Sequence, residues 1–353
     1  MKDKKIPVAV LAATGSVGQR FVQLLDGHPW FEVVALTGSE RSRGQIYGET
    51  CRWLLPEPMP AWAQSMRLNA TTPQEVHAPL IFSALPADTA REVEPLFARA
   101  GAAVFSNASS YRTDPLVPIL LPEVNADQAW LVEIQKRQYG WSGSIVTNSN
   151  CTSTGMTVAL KPLLDEFGIK RVFAVSLQAL SGAGYPGVAS MDIIDNVVPY
   201  IANEEEKVEQ EPLKMLGKIQ NDQLQPANFT ISAHTNRVAV SDGHLVCLSV
   251  ELGKKAPLAD VEAVLRAYQA PLAARNLPST PLPVLQITDK QDRPQPRLDR
   301  MAGKGMTTVL GRLRKDPLFD IKFVVLSHNT IRGAAGGSIY NAELLVKLKL
   351  AGK

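Results

Sequence analysis

An α/β protein of two domains is predicted from three observations. Short β-rich runs alternate with helical stretches through the first 150 residues, the pattern of a parallel sheet covered by helices. Beyond residue 151 the β-rich segments lengthen, which suits a mixed sheet with helices on one face. At 353 residues the chain is long enough for about two cores. The first domain is placed at 1–150 and an α+β second domain at 151–332.

In the first domain, strands are predicted at 8–11, 32–36, 80–84, 103–106 and 145–147, with helices at 17–25 and 90–100. The second opens with a helix from 151 through 164 and a strand at 171–177. An irregular Gly-rich stretch follows, then a charged helix near 204–216. β-rich segments at 236–251, 306–314 and 321–326 and a helix at 259–275 complete it. Residues 336–350 read as an amphipathic helix.

Hydrophobic residues make up 45% and charged residues 20% of the chain, the balance of a soluble globular protein. The net charge of +3 comes from scattered basic residues and argues against a nucleic-acid partner. The apolar run at 6–11 is too short for a signal peptide or a membrane span. Cys51, Cys151 and Cys247 form neither a disulfide framework nor a metal-ligand spacing. The expectation is a reduced, cytoplasmic protein without a metal or a membrane contact.

The densest chemical signal is Asn148-Ser149-Asn150-Cys151-Thr152-Ser153-Thr154-Gly155, directly after a predicted strand. It sets a cysteine at the mouth of a helix, where backbone N–H groups and the helix dipole face the thiol. Such a setting lowers a thiol pKa and favours the thiolate that attacks carbonyls. A buried structural cysteine is the ordinary alternative. The small, polar, turn-forming neighbours oppose it.

A second signal is the strand-to-helix turn Leu11-Ala12-Ala13-Thr14-Gly15-Ser16-Val17-Gly18. A tight turn there brings the backbone close to a pyrophosphate seated on the helix N-terminus, as in a Rossmann-type dinucleotide site. The G-x-G-x-x-G fingerprint is incomplete, because Ala12 stands where the first glycine is expected. After the second strand comes Thr37-Gly38-Ser39-Glu40-Arg41-Ser42-Arg43. Two arginines and two serines against one glutamate suit the 2′-phosphate of NADP better than the ribose of NAD.

The cysteine needs an acid–base partner. His28 and His77 are expected to face solvent. His244 follows an Asp242-Gly243 turn, with Arg237 seven residues before it, so one hairpin offers a cation for an anionic substrate and a general base. His328, in Leu326-Ser327-His328-Asn329-Thr330, is the rival.

These residues match a family. Asn150-Cys151-Thr152-Ser153, the Cys151 and His244 pair and Arg237 resemble aspartate-semialdehyde dehydrogenase, in its archaeal and fungal type. The likeness runs over nearly the whole chain. It includes Ser106-Asn107-Ala108-Ser109, Leu121-Pro122-Glu123-Val124-Asn125, Gln178-Ala179-Leu180-Ser181-Gly182 and Asn203-Glu204-Glu205-Glu206-Lys207. Asn329-Thr330-Ile331-Arg332-Gly333 extends it.

The resemblance implies NADP-dependent, reversible reduction of aspartyl 4-phosphate to aspartate 4-semialdehyde with release of phosphate, on the route to lysine, methionine and threonine. Cys151 is then the nucleophile that carries a thioester, His244 the acid–base residue, and Gln178 the residue that orients substrate. Arg237 matches the carboxylate clamp. Arg112, Asn150, Glu204 and Lys207 match substrate-binding positions, with Glu205 a competitor of Glu204. Thr14, Gly15, Ser16, Val17, Ser39, Arg41, Ser42, Ser83, Leu85, Ser181, Gly182, Asn329 and Thr330 fall beside the cofactor. Residues 333–353 are implied to return to the nucleotide domain, and 151–332 to catalyse and oligomerise in a homodimer or homotetramer.

The same cysteine and histidine would serve a malonyl- or succinyl-coenzyme A reductase. Glu204, Lys207 and Arg237 discriminate, since an amino group calls for a carboxylate and a thioester of coenzyme A calls for no phosphate pocket. Acetylglutamyl phosphate reductase fits the motifs less well, and a non-catalytic NADP scaffold would not need Cys151, Gln178 and His244 together. Ala12 is tolerable if its φ is negative. Cys247 reads as a core residue. Cys51 and the region 53–70 offer no motif.

Overall fold

The computed structural model describes residues 4–352. Its first sheet holds β1 (Ile6–Leu11), β2 (Phe31–Thr37), β3 (Leu68–Asn69), β4 (Leu80–Ser83), β5 (Ala103–Ser106) and β6 (Ser144–Thr147). Every neighbouring pair is parallel, in the order β3-β2-β1-β4-β5-β6. Helices α1 (Ser16–Leu24), α2 (Ala87–Arg99) and α3 (Leu131–Tyr139) pack against it. Coverage on both faces explains why β4, β5 and β6 are buried at every residue. Leu11 pairs with Ser83, Ser83 with Ser106 and Ser106 with Thr147, so four strands end level. The turns after them form one row, at the crevice where the strand order reverses between β1 and β4.

The second half adds α4 (Cys151–Phe167), β7 (Ile169–Gln178), α5 (Glu204–Met215), a β8 (Lys218–Gln220) and β9 (Gln223–Gln225) hairpin, β10 (Thr230–Arg237) and β11 (His244–Leu252). Then come α6 (Leu258–Ala267), β12 (Leu285–Thr288), β13 (Thr308–Lys315) and β14 (Ile321–Ser327). The sheet order is β10-β7-β11-β14-β13-β12, with parallel pairs only at its two edges. Helices α4, α5 and α6 cover one face. No helix among the described residues is long and apolar enough to cross a membrane.

Several expectations change. The β-rich segment expected at 236–251 is broken at 238–243, and β10 and β11 do not pair. They flank β7, so Arg237 and His244 sit across a connection rather than at a hairpin. The helix expected at 259–275 stops at Ala267, before the Pro271 that cannot continue it. The C-terminal helix α7 (Gly336–Lys347) is buried from Gly336 through Leu345 rather than amphipathic. It is wedged between β4, β5 and α1 on one side and the 272–274 turn on the other, where Tyr340 Oη donates to the Ala274 carbonyl at 2.7 Å. His28 is buried, with Nε2 2.9 Å from the Glu343 carboxylate of α7, so it does not face solvent. Cys247 is exposed, not core: strand residues alternate faces, and His244, Val246 and Leu248 already point inward.

Candidate active site

Strand register assembles the site. Arg237 at the end of β10 pairs with Gln178 at the end of β7, and His244 at the start of β11 pairs with Ser327 at the end of β14. One end of the mixed sheet therefore presents four polar side chains. Chain continuity lays the first sheet against it: β6 runs through the turn at 148–150 into α4, whose first residue is Cys151.

Cys151 Sγ lies 3.2 Å from His244 Nε2. The Ala179 N–H donates to His244 Nδ1 at 3.0 Å. A neutral imidazole that accepts at Nδ1 carries its proton on Nε2, so an N–H points at the sulfur. The Ala179 carbonyl accepts from Arg237 Nη1 at 2.7 Å, so the backbone of one residue sets both side chains. Gly182 allows this approach: a Cβ there would stand 2.8 Å from Arg237 Nη1 and 3.1 Å from His244 Nε2.

The expected depressed thiol is corrected. Burial first, and the charge of Glu204 second, push the Cys151 thiol up to about 12, against the pull of Arg112 and Arg237. At the helix N-terminus Asn150 Oδ1 takes the amides of Thr152 at 2.9 Å and Ser153 at 3.2 Å, so these two donors face the cap rather than the sulfur. Burial, followed by Arg237 and His328, lowers His244 to about 3, which keeps the ring neutral.

Glu204 rather than Glu205 faces the cysteine. Its Oε2 accepts from Asn150 Nδ2 at 2.8 Å and Gln178 Nε2 at 3.3 Å, and its Oε1 from Lys207 Nζ at 3.0 Å. Glu205 instead takes the Thr235 amide at the sheet edge. Arg112 reaches in from the first-sheet side, with Nη2 donating to the Asn107 carbonyl at 2.9 Å. His328 is buried too, its Nδ1 3.5 Å from Thr330 Oγ1, and the cysteine's partner is His244.

A cleft of about 360 Å³ joins the row of turns to this cluster. It brings together Ser16, Val17, Leu85, Arg112, Asn150, Cys151, Ser181, Gly182, Glu204, Lys207, Asn329 and Thr330. The residues present fit a dinucleotide. The amides at the N-terminus of α1, after Thr14 and Gly15, have no side-chain cap, and Gly18 packs so tightly that a Cβ would meet the Ala12 carbonyl at 2.2 Å. Ser39 and Arg41 are exposed at the end of β2.

Of the other residues expected beside the cofactor, Ser42 is buried with its hydroxyl donated to the Ser39 carbonyl at 2.8 Å, and the Ser83 side chain is fully buried beneath the turns. Arg43 is engaged by Glu75. Ala12 has φ +54°, so the condition for its easy tolerance fails: the methyl sits in the left-handed region that favours glycine.

Sequence reasoning missed Glu211, Lys214 and the Glu123–Arg332 pair. Arg332 Nε and Nη2 bond the Glu123 carboxylate at 2.7 and 2.5 Å, both residues 1% exposed. A signal existed for the first two, since charges at 204, 207, 211 and 214 recur at helical spacing. None existed for the third, whose partners are 209 positions apart.

Residues 7–130 match the family model of the semialdehyde dehydrogenase NAD-binding domain, and residues 160–332 that of the semialdehyde dehydrogenase dimerisation domain. Fold and site thus define a class: a two-domain dehydrogenase with a cysteine–histidine centre between a nucleotide-binding sheet and a mixed sheet. The aspartate-semialdehyde dehydrogenase of Archaeoglobus fulgidus is 48% identical over 97% of this chain and 98% of its own length. That of Trichophyton rubrum is 45% identical over 95% of each. The crystal structure of the Candida albicans enzyme with NADP matches with a TM-score of 0.90 at 41% identity, covering 98% of this chain and 99% of that one. The chain belongs to the aspartate-semialdehyde dehydrogenase family.

Proposed function

We propose that this chain catalyses the NADP-dependent, reversible reduction of L-aspartyl 4-phosphate to L-aspartate 4-semialdehyde and phosphate. One observation carries the reading: a cysteine 3.2 Å from a histidine is ringed by one carboxylate, Glu204, and three cations, Arg112, Lys207 and Arg237. That set complements an α-amino acid acyl phosphate, with its ammonium, carboxylate and phosphate.

Arg237 binds the α-carboxylate, Glu204 the ammonium, and Arg112 with Lys207 the phosphate, while Gln178 and Asn150 hold Glu204 in place. A bound ammonium neutralises Glu204 and so removes one of the two influences that raise Cys151. As sulfur attacks the acyl carbon, the carbon–oxygen bond to phosphate breaks, the departing phosphate carries off the thiol proton, and a thioester forms on Cys151. Thr14, Gly15, Ser16 and Val17 would hold the diphosphate of NADPH and Ser39 and Arg41 its 2′-phosphate, and the bound cofactor would supply the hydride that the thioester accepts. The carbon–sulfur bond then breaks, releasing the aldehyde and a thiolate that takes a proton from solvent to restore the resting thiol. His244 Nε2–H serves both ends of this sequence as a hydrogen-bond donor, to the thiolate and to the oxyanion. Its role is donation rather than proton abstraction, because Nδ1 is already an acceptor.

The phosphate pocket has no use in a coenzyme A thioester reductase. The test is NADP reduction by purified protein with aspartate semialdehyde, which is expected to require phosphate and to leave an aspartyl adduct on Cys151 by mass spectrometry. NADPH oxidation with malonyl-CoA, together with no phosphate-dependent reaction, would overturn the reading. A cytoplasmic homodimer fits best. The outer face of the mixed sheet carries half-buried Phe173, Val175, Leu177, Leu245 and Val324, which light scattering should find paired in solution.

A further inference from the structure

We propose that Glu211 is a positioning residue for phosphate, acting through Arg112; the inference rests on the phosphate role given to Arg112 above. Glu204, Lys207, Glu211 and Lys214 are spaced three, four and three apart, so they share one face of α5. The upper pair faces Cys151. The lower pair holds the first-domain segment that carries Arg112.

Glu211 is 7% exposed, and its two oxygens do different work. Oε1 accepts from Arg112 Nη1 at 3.0 Å, and Oε2 accepts from the backbone amide of Asn150, one residue before the nucleophile, at 2.5 Å. Lys214 Nζ donates to the carbonyls of Arg112, Asp114 and Val117 at 2.7, 2.6 and 2.8 Å. With Nη2 tied to the Asn107 carbonyl, the guanidinium is fixed at both terminal nitrogens, and its buried Nε has no partner among the described residues. One carboxylate therefore sets the spacing between the arginine that grips the leaving phosphate and the turn that aims the sulfur. Preorganisation of this kind is felt by the ligand that the arginine binds and little by the others.

The test uses the phosphate-dependent direction, in which phosphate is a substrate with its own KM. Glu211→Gln keeps the shape and removes the charge. It is expected to raise KM for phosphate about tenfold, with KM for the semialdehyde and for NADP within about twofold. Combined with Arg112→Ala it should add little beyond Arg112→Ala alone, since both act on one interaction. Phosphate KM unchanged within about twofold, or two effects that simply multiply, would overturn the proposal. If Glu211→Gln does not fold, Lys214→Met gives the same reading: a rise confined to phosphate supports it, and an even rise for all substrates overturns it. A wild-type protein with no phosphate dependence refutes the functional reading itself, whereas normal wild-type dependence with an unaffected Glu211→Gln refutes only this inference.

Discussion

The two walls of the cleft are built on opposite plans. The nucleotide wall is main chain: the uncapped amides of α1, a helix packed against its strand at Gly18, and a row of strand ends made level by parallel pairing. The catalytic wall is side chain. Cys151, Gln178, Glu204, Arg237 and His244 come from separate elements, and the bonded cysteine and histidine are 93 positions apart. A wall of backbone tolerates most side-chain changes and is sensitive to φ and to Cβ contacts. A wall of side chains fails at single atoms.

That contrast orders the expected effects. Cys151→Ala removes the nucleophile and should lower turnover by roughly 10⁴-fold or more, while NADPH binding, read by fluorescence, stays near wild type. Loss of cofactor binding in this variant would show that the walls are not separable. Glu123→Leu leaves Arg332 buried without its partner and should destabilise the protein by about 3–5 kcal/mol in urea unfolding. A near-neutral result would mean the arginine finds water. His244→Ala should cost about 10²–10³-fold in kcat.

The thiol itself gives a pH test. Alkylation of Cys151 by iodoacetamide should keep rising well above neutral pH, because burial and Glu204 hold the thiol at about 12. Glu204→Gln deletes a negative charge, so thiolate forms more readily and the rise should move to lower pH. A move to higher pH would contradict the assigned sign.

On the nucleotide wall the effects should be smaller. Arg41→Ala should weaken NADP by about 1–2 kcal/mol and leave NAD unchanged, which paired titrations can show. Ala12→Gly relieves a left-handed alanine and should raise stability by no more than about 1 kcal/mol. If Ala12→Gly proves the larger of these last two, the backbone wall is more strained than its geometry indicates.

Legibility followed the same division. The strand-to-helix turn at 11–18 and the Asn150-Cys151 turn are local, so hydrophobic runs and turn residues reveal them directly. The thiol pKa is not legible in the same segment. A helix N-terminus is visible in sequence, but burial and the approach of Glu204 from α5 are not. The burial of His28 and the exposure of Cys247 are hidden for a related reason. Polarity and spacing do not tell which face of a strand is covered, or that Glu343 waits opposite a histidine 315 positions away.

The amino-acid sequence alone determined the alternation that makes a parallel sheet, the turn chemistry at both phosphate and cysteine, and the residue types the reaction needs. These depend on interactions within a few positions, where propensity and periodicity act. Tertiary structure decided the rest: that β10 and β11 flank β7, that Ala179 fixes the histidine's proton on Nε2, and that Glu211 ties Arg112 to the turn before Cys151. Each requires groups from distant elements to meet within hydrogen-bonding distance, and only packing and strand register set those distances.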